Sequence, residues 1–142
     1  MGIEHHGRIG RKGKEMATAG TAKTPAQTFA LVFGAVYVLI GILGFMMDPI
    51  LGIFEVNLLH NIAHLAVGGL FLVGSKTPAM AKQVSLIIGV VYGLLAILGF
   101  AGILVPDLLD ANTADDFLHL GTAAAALYFG TAGGRETRTA TV

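Results

Sequence analysis

Leu58-Leu59-His60-Asn61-Ile62-Ala63-His64-Leu65-Ala66-Val67-Gly68-Gly69-Leu70-Phe71-Leu72-Val73-Gly74-Ser75 is an apolar run with three polar side chains in its first two turns. About twenty apolar residues are what a helix needs to cross a hydrocarbon core. Imidazole and carboxamide groups inside such a run must be turned away from lipid. The stretch therefore predicts a membrane helix with a buried polar stripe, packed against other helices. Three further runs suit the same length: Thr28 to Met47, Val84 to Val105, and a weaker one from Thr113 to Gly130 that carries Asp115, Asp116, His119 and Thr122. The modest hydrophobicity of the last run leaves a re-entrant or surface-lying segment as its competing reading.

Composition agrees with a membrane chain. Of 142 residues, 54% are hydrophobic and only 13% charged, against about 25% charged in soluble domains. With a formal net charge of +0, the chain has no overall basic field to hold nucleic acid. Cysteine is absent, which excludes disulfides and thiolate chemistry. There is no nucleophile elbow, phosphate-binding loop or catalytic carboxylate motif, so no enzyme is expected.

The charges are sorted by position. Basic residues fall in the N-terminal segment (Arg8, Arg11, Lys12, Lys14, Lys23), in the connection between the second and third runs (Lys76, Lys82), and near the C-terminus (Arg135, Arg138). The other two connections carry Asp48, Glu55, Asp107 and Asp110 without Lys or Arg. By the positive-inside rule, both termini and the middle connection are expected in the cytoplasm. Residues 1–27 read as a basic tail near anionic lipid rather than a signal peptide, with His5 and His6 solvated. Phe29, Phe45, Phe54, Phe100, Phe117, Tyr128 and Phe129 fall near span ends, where an aromatic belt is expected.

The chain also matches itself at a shift of 55 residues. Gly34, Tyr37, Leu43, Gly44 and Phe45 fall on Gly89, Tyr92, Leu98, Gly99 and Phe100; Asn57 falls on Asn112 and His64 on His119. A shared Asn and His in one ungapped register predict a duplicated helical hairpin, parallel because each unit crosses twice. Gly89 with Gly93, and Ala30 with Gly34, have the spacing that lets membrane helices approach closely.

Asn57 and Asn112 stand where the second and fourth helices should begin and are expected as N-caps, with Asp115 and Asp116 favoured by the helix dipole and Asn61 as polar support. His64 and His119 then lie seven residues inside, about 10 Å at 1.5 Å per residue. Steps of four give His60, His64 and Gly68 on one helix and Asp115, His119 and Ala123 on the other. Asp115 is positioned to accept from His119 across one turn and fix its tautomer. Three readings stay open for His60, His64 and His119. They are interior polar glue without a ligand, cofactor ligands for a haem, chlorin or metal, or part of a proton or ion pathway through Glu55, Asp110 and Asp115.

The Leu58 to Gly68 pattern, preceded by the Gly-Ile-Leu-Gly-Phe span end and followed by Phe117-Leu118-His119-Leu120-Gly121, resembles a family of small bacterial four-helix membrane proteins, domain of unknown function 4383. The resemblance covers about Phe29 to Gly130. It implies four spans bearing the elements His60, Asn61, His64 and Leu118, His119, Leu120, and it implies no activity, substrate or cofactor.

The sequence thus predicts an all-α integral membrane protein with four transmembrane helices in two tandem parallel helical-hairpin repeats, 28–75 and 83–130. A membrane domain, 28–133, lies between a basic cytoplasmic tail, 1–27, and a cytoplasmic C-terminal tail, 134–142. The expectation is a multi-pass cell-membrane protein acting as a non-enzymatic structural or accessory subunit. Its partners would be the lipid bilayer and other membrane subunits.

Overall fold

The computed structural model describes residues 22–103 and 105–131. The expectations for Arg8, Arg11, Lys12, Lys14, His5, His6, Arg135 and Arg138, and for the tail 134–142, lie outside them. Among the described residues the chain is helical: α1 Pro25–Gly44, α2 Leu58–Gly74, α3 Pro78–Phe100, a short α4 Val105–Leu109, and α5 Thr113–Thr131. α1 and α3 are long and apolar enough to cross a membrane, with mean hydropathies of 2.1 and 2.2 over their best windows. α2 is apolar but shorter, and α5 opens with two buried carboxylates.

Two helices begin earlier than hydropathy suggests, for the same local reason. Thr24 caps α1: its Oγ1 accepts the Gln27 N–H at 3.3 Å, the Gln27 side chain accepts the Thr24 N–H at 3.1 Å, and Pro25 fills the first position. Thr77 caps α3 by accepting the Met80 N–H at 3.2 Å, with Pro78 following. Proline costs nothing at the first helical position because its missing N–H would have no intrahelical partner. The expected basic tail 1–27 therefore gives up Pro25, Ala26 and Gln27 to α1, and Lys82 belongs to α3 rather than to the connection. Gln27 is buried and donates to the Ser75 carbonyl at 3.0 Å, tying the start of α1 to the end of α2.

The third expected span, drawn to Val105, stops short of it. Gly102 adopts φ +67, its N–H reaches the Gly99 carbonyl and the Ile103 N–H the Leu98 carbonyl. This paired closure is the glycine-dependent Schellman end. Val105–Leu109 forms α4 within the connection. Phe29, expected in an interfacial belt, is buried instead. It stacks on Phe129 at 4.7 Å and meets Phe71 edge-on at 5.6 Å. Phe45, Phe100, Phe117 and Tyr128 are exposed.

α1 packs antiparallel on α2, and α3 on α5, through glycines that leave no room for a side chain. A Cβ on Gly34 would lie 2.9 Å from the Leu72 backbone nitrogen, and one on Gly89 3.0 Å from that of Leu127. A Cβ on Gly44 would overlap the Asn61 carboxamide, and one on Gly99 the Asp116 carboxylate. Each contact has its counterpart 55 residues along the chain. Gly93 is different: its nearest neighbour would be Ala123 Cβ at 3.8 Å, so of the Gly89/Gly93 pair only the first sets the approach. Large apolar side chains such as Leu39, Leu70, Val90, Leu94, Ile97 and Leu120 cover the outside.

Two ends result. Lys23, Lys76 and Lys82 lie at the end where α1 and α3 begin. Asp48, Glu55, Asp107 and Asp110 lie on the opposite loops, before α2 and α5.

Gly89→Ala should destabilise the protein by about 1–3 kcal/mol through overpacking against α5. Gly121→Ala, with open space around it, should be neutral or gain up to about 1 kcal/mol from helix propensity. Unfolding midpoints in detergent compare the two, and equal midpoints would contradict the close approach.

Candidate functional site

The site begins with the two asparagines that start α2 and α5. Asn57 Oδ1 accepts the His60 N–H at 2.9 Å, and Asn112 Oδ1 accepts the N–H groups of Ala114 and Asp115 at 2.9 and 3.3 Å. Their amide groups are used as well. Asn57 Nδ2 donates to the Leu108 carbonyl at 3.0 Å, and Asn112 Nδ2 to the Ile53 carbonyl at 2.8 Å. Each residue thus caps its own helix and grips the loop leading to the other. The two helices start at matching points of their loops, and His64 and His119 enter to equal depth.

Five aromatic rings then close a circuit in the interior. His60 and His64 lie 4.4 Å apart between centroids, His64 and Tyr37 5.4 Å, Tyr37 and Tyr92 5.7 Å, Tyr92 and His119 5.1 Å, and His119 and His60 6.1 Å. The two tyrosine–histidine contacts are edge-on, at 84° and 88°. All five residues are buried, His60 to 1% exposure. The Tyr37 hydroxyl and Thr122 Oγ1 share a hydrogen bond of 2.9 Å that joins α1 to α5.

His64 and His119 do not meet directly. His60 links them on one side and the tyrosine pair on the other. Asp115 does not bond His119, contrary to the one-turn expectation. Its Oδ2 accepts the Asn112 N–H at 2.9 Å, because a carboxylate in the first turn reaches the free N–H of its own cap more readily than a side chain deeper in the helix. Asn61 and Asp116 sit apart from the ring, against Gly44 and Gly99.

Sequence reasoning matched Tyr37 with Tyr92 only as a register pair and missed them as site residues. Hydroxyl-bearing rings at equal depth in otherwise apolar spans were the available signal.

The chemistry follows from what is left unsatisfied. Both nitrogens of His60, Nδ1 of His64 and Nδ1 of His119 are buried without a hydrogen-bond partner, as are Oδ1 of Asn61 and of Asp116. A buried polar group left unpaired costs about 1–3 kcal/mol, so the four imidazole nitrogens gathered in the ring are the part of the interior with hydrogen-bonding capacity to spare. Two-sided ligation of a planar macrocycle needs two imidazoles opposed across an open gap. Here Tyr37, Tyr92 and His60 occupy the circuit between His64 and His119. Among the described residues, no group of three or more His, Asp or Glu side chains is placed to hold a metal ion.

Asn112→Ala removes a cap and a grip on the opposite loop and should cost about 1–2 kcal/mol, read from detergent unfolding. A cysteine pair replacing His60 and His119 should be joined by a short bifunctional reagent. A pair replacing the exposed Leu70 and Phe117 should not, and equal crosslinking of both pairs would contradict the ring.

A family model described as a domain of unknown function (DUF4383) matches residues 27–132. No curated protein matches the chain, and no solved structure does.

Proposed function

This chain belongs to the family described as a domain of unknown function, DUF4383, and from that premise we propose a small multi-pass integral protein of the cell membrane. It has four spans in two tandem parallel hairpins, with both termini in the cytoplasm. It works without catalysis, as a structural or accessory component of a larger membrane assembly.

One observation carries the reading: the polarity of the protein is inverted. Large apolar side chains cover the outer faces of the helices, while His60, Asn61, His64, Asp115, Asp116, His119 and Thr122 are buried among them. An apolar outer surface on this scale suits lipid and helix partners rather than water. The Asn57, Asn112, Asp115 and Tyr37 side chains are engaged in caps, loop grips and helix contacts, which supports a structural role. The 55-residue recurrence of the glycine approaches, caps and tyrosine–histidine contacts supports the duplicated hairpin. Lys76 on the connection between α2 and α3, opposite the acidic loops, supports the orientation.

A second reading, a proton-handling component, is favoured by the partnerless imidazole nitrogens. Ionisable groups inside a membrane bundle are costly and mark functional sites by default.

Single cysteines test the topology without native background, since the chain has none. Ile53→Cys and Asp107→Cys, both exposed on the acidic loops, should react with an impermeant thiol reagent in intact cells. Lys76→Cys and Thr137→Cys should react only after lysis. Labelling of Thr137→Cys from outside would remove the four-span arrangement. Mild extraction should yield a species larger than one 14.7 kDa chain with a stoichiometric second subunit. A lone chain under the same conditions would contradict the accessory role.

A further inference from the structure

We infer that the seam between α1 and α5 at the lysine end is a binding site for one anionic phospholipid, its acyl chain lying in an apolar groove and its phosphate held by Lys23. The inference rests on the membrane placement proposed above, which puts the lysine end in the anionic cytoplasmic leaflet.

The groove arises where the two hairpins depart from their repeat. The register that sets Gly34 on Gly89 also sets Phe29 on Val84 and Gly74 on Phe129. Two seams between the hairpins therefore correspond, α2 with α3 and α5 with α1. In the first, Gly74 has no side chain and Val84 closes on it: a Cβ on Gly74 would lie 2.9 Å from Val84 Cγ2. The short connection Ser75-Lys76-Thr77 ties those helix ends together. In the second, two phenyl rings stand where the glycine and the valine meet. Phe29 and Phe129 stack with centroids 4.7 Å apart, and α1 and α5, the first and last described helices, have no connection to draw them together. The rings hold the seam apart and leave beside them a groove of about 470 Å³, within the about 300–1,000 Å³ of small-molecule sites.

The lining suits a lipid. Pro25, Phe29, Val32 and Phe33 of α1 and Phe129 of α5 form an apolar wall, and Thr28 and Lys23 are its polar side chains. Phe29 is 5% exposed and Val32 51%, so the groove has a firm floor and an open side toward the bilayer. From Pro25 to Phe33 is about 12 Å at 1.5 Å per residue, most of the about 15 Å of hydrocarbon in one leaflet. An apolar wall offers no partners for the backbone N–H and C=O groups of an extended peptide, and a methylene chain needs none.

The charge at the mouth selects the headgroup. Lys23 stands one residue before the Thr24 cap of α1, where the chain meets the interface. Among the described residues, Lys23, Lys76 and Lys82 lie at this end and no Asp or Glu does. Basic side chains at the interface favour a headgroup of net negative charge over a zwitterionic one, and lysine binds phosphate as a point charge.

The test is native mass spectrometry of the full-length chain released from vesicles of equal parts dioleoyl phosphatidylcholine and dioleoyl phosphatidylglycerol. One phosphatidylglycerol should be retained, favoured over phosphatidylcholine by about fivefold, the effect expected of one basic side chain at an anionic surface. Lys23→Gln should abolish that preference. Lys76→Gln, at the same end but outside the groove, should keep it. Val32→Trp, which fills the groove from its exposed side, should lose the lipid with Lys23 intact; its unfolding midpoint in detergent shows whether it folds, and where it does not, Lys23→Gln decides. No retained lipid, equal retention of the two lipids, an equal loss in Lys76→Gln, or a preference unmoved by Lys23→Gln or by a folded Val32→Trp would each overturn the proposal. Retention that appears only once residues 132–142 are deleted would overturn it too, since the chain's own end would then fill the groove. Sided labelling of Ile53→Cys and Lys76→Cys reads the membrane placement separately. If that labelling is not sided as expected, the placement fails and this inference with it. If it is, and phosphatidylglycerol is not retained, only the lipid inference fails.

Discussion

The reciprocal grip of Asn57 on the Leu108 carbonyl and of Asn112 on the Ile53 carbonyl is the constraint on which the interior depends. A helix in an apolar core is held mainly by packing and can slide or rotate with little change in van der Waals energy. A cap that also bonds the opposite loop fixes where each helix begins. Once α2 and α5 start at matched points, His64 and His119 share a depth, and Tyr37 and Tyr92 meet them edge-on. The glycine approaches work in the same direction. Asn61 against Gly44 and Asp116 against Gly99 place the C-terminal ends of α1 and α3 on the first turns of α2 and α5, where the rings enter.

Much of this was legible in the sequence because short-range chemistry and periodicity carry it. The 55-residue register could be read from Asn57, Asn112, His64 and His119 alone, and the caps follow from Asn before a helical run. Helix starts at Pro25 and Pro78 were less visible to a hydropathy reading, since Gln27, Lys82 and Gln83 lower the local average. The Thr-Pro pairs before them were the better signal. The end of α3 was hidden for the opposite reason. Ile103, Leu104 and Val105 keep the stretch apolar, while the backbone turns at Gly102.

The site was legible as a set of residues but not as an arrangement. Steps of four on one helix place His60 near His64 and Asp115 near His119, yet they cannot show which neighbour wins a side chain. The Asn112 N–H takes Asp115. Nor can they show contacts across helices: the His60–His119 link and the Tyr37–Tyr92 contact depend on how α1, α2, α3 and α5 pack together. Phe29 illustrates the same limit, since a position near a span end suits an interface or a core equally until Phe71 and Phe129 are placed beside it.

α2 and α5 part ways just past their caps. His60 and Asp115 occupy the same place, three residues after the capping asparagine. Asp115 closes a reciprocal cap by accepting the Asn112 N–H. The His60 ring forms no such bond to Asn57, although its own backbone N–H is held by the Asn57 side chain. Released from the cap, that ring lies inward, against His64 and within reach of His119. A second Asp at this position would satisfy the cap and break the circuit of rings, and a second His would leave α5 without its reciprocal cap. Having one of each gives the interior both a firmly anchored helix and an imidazole that no cap holds.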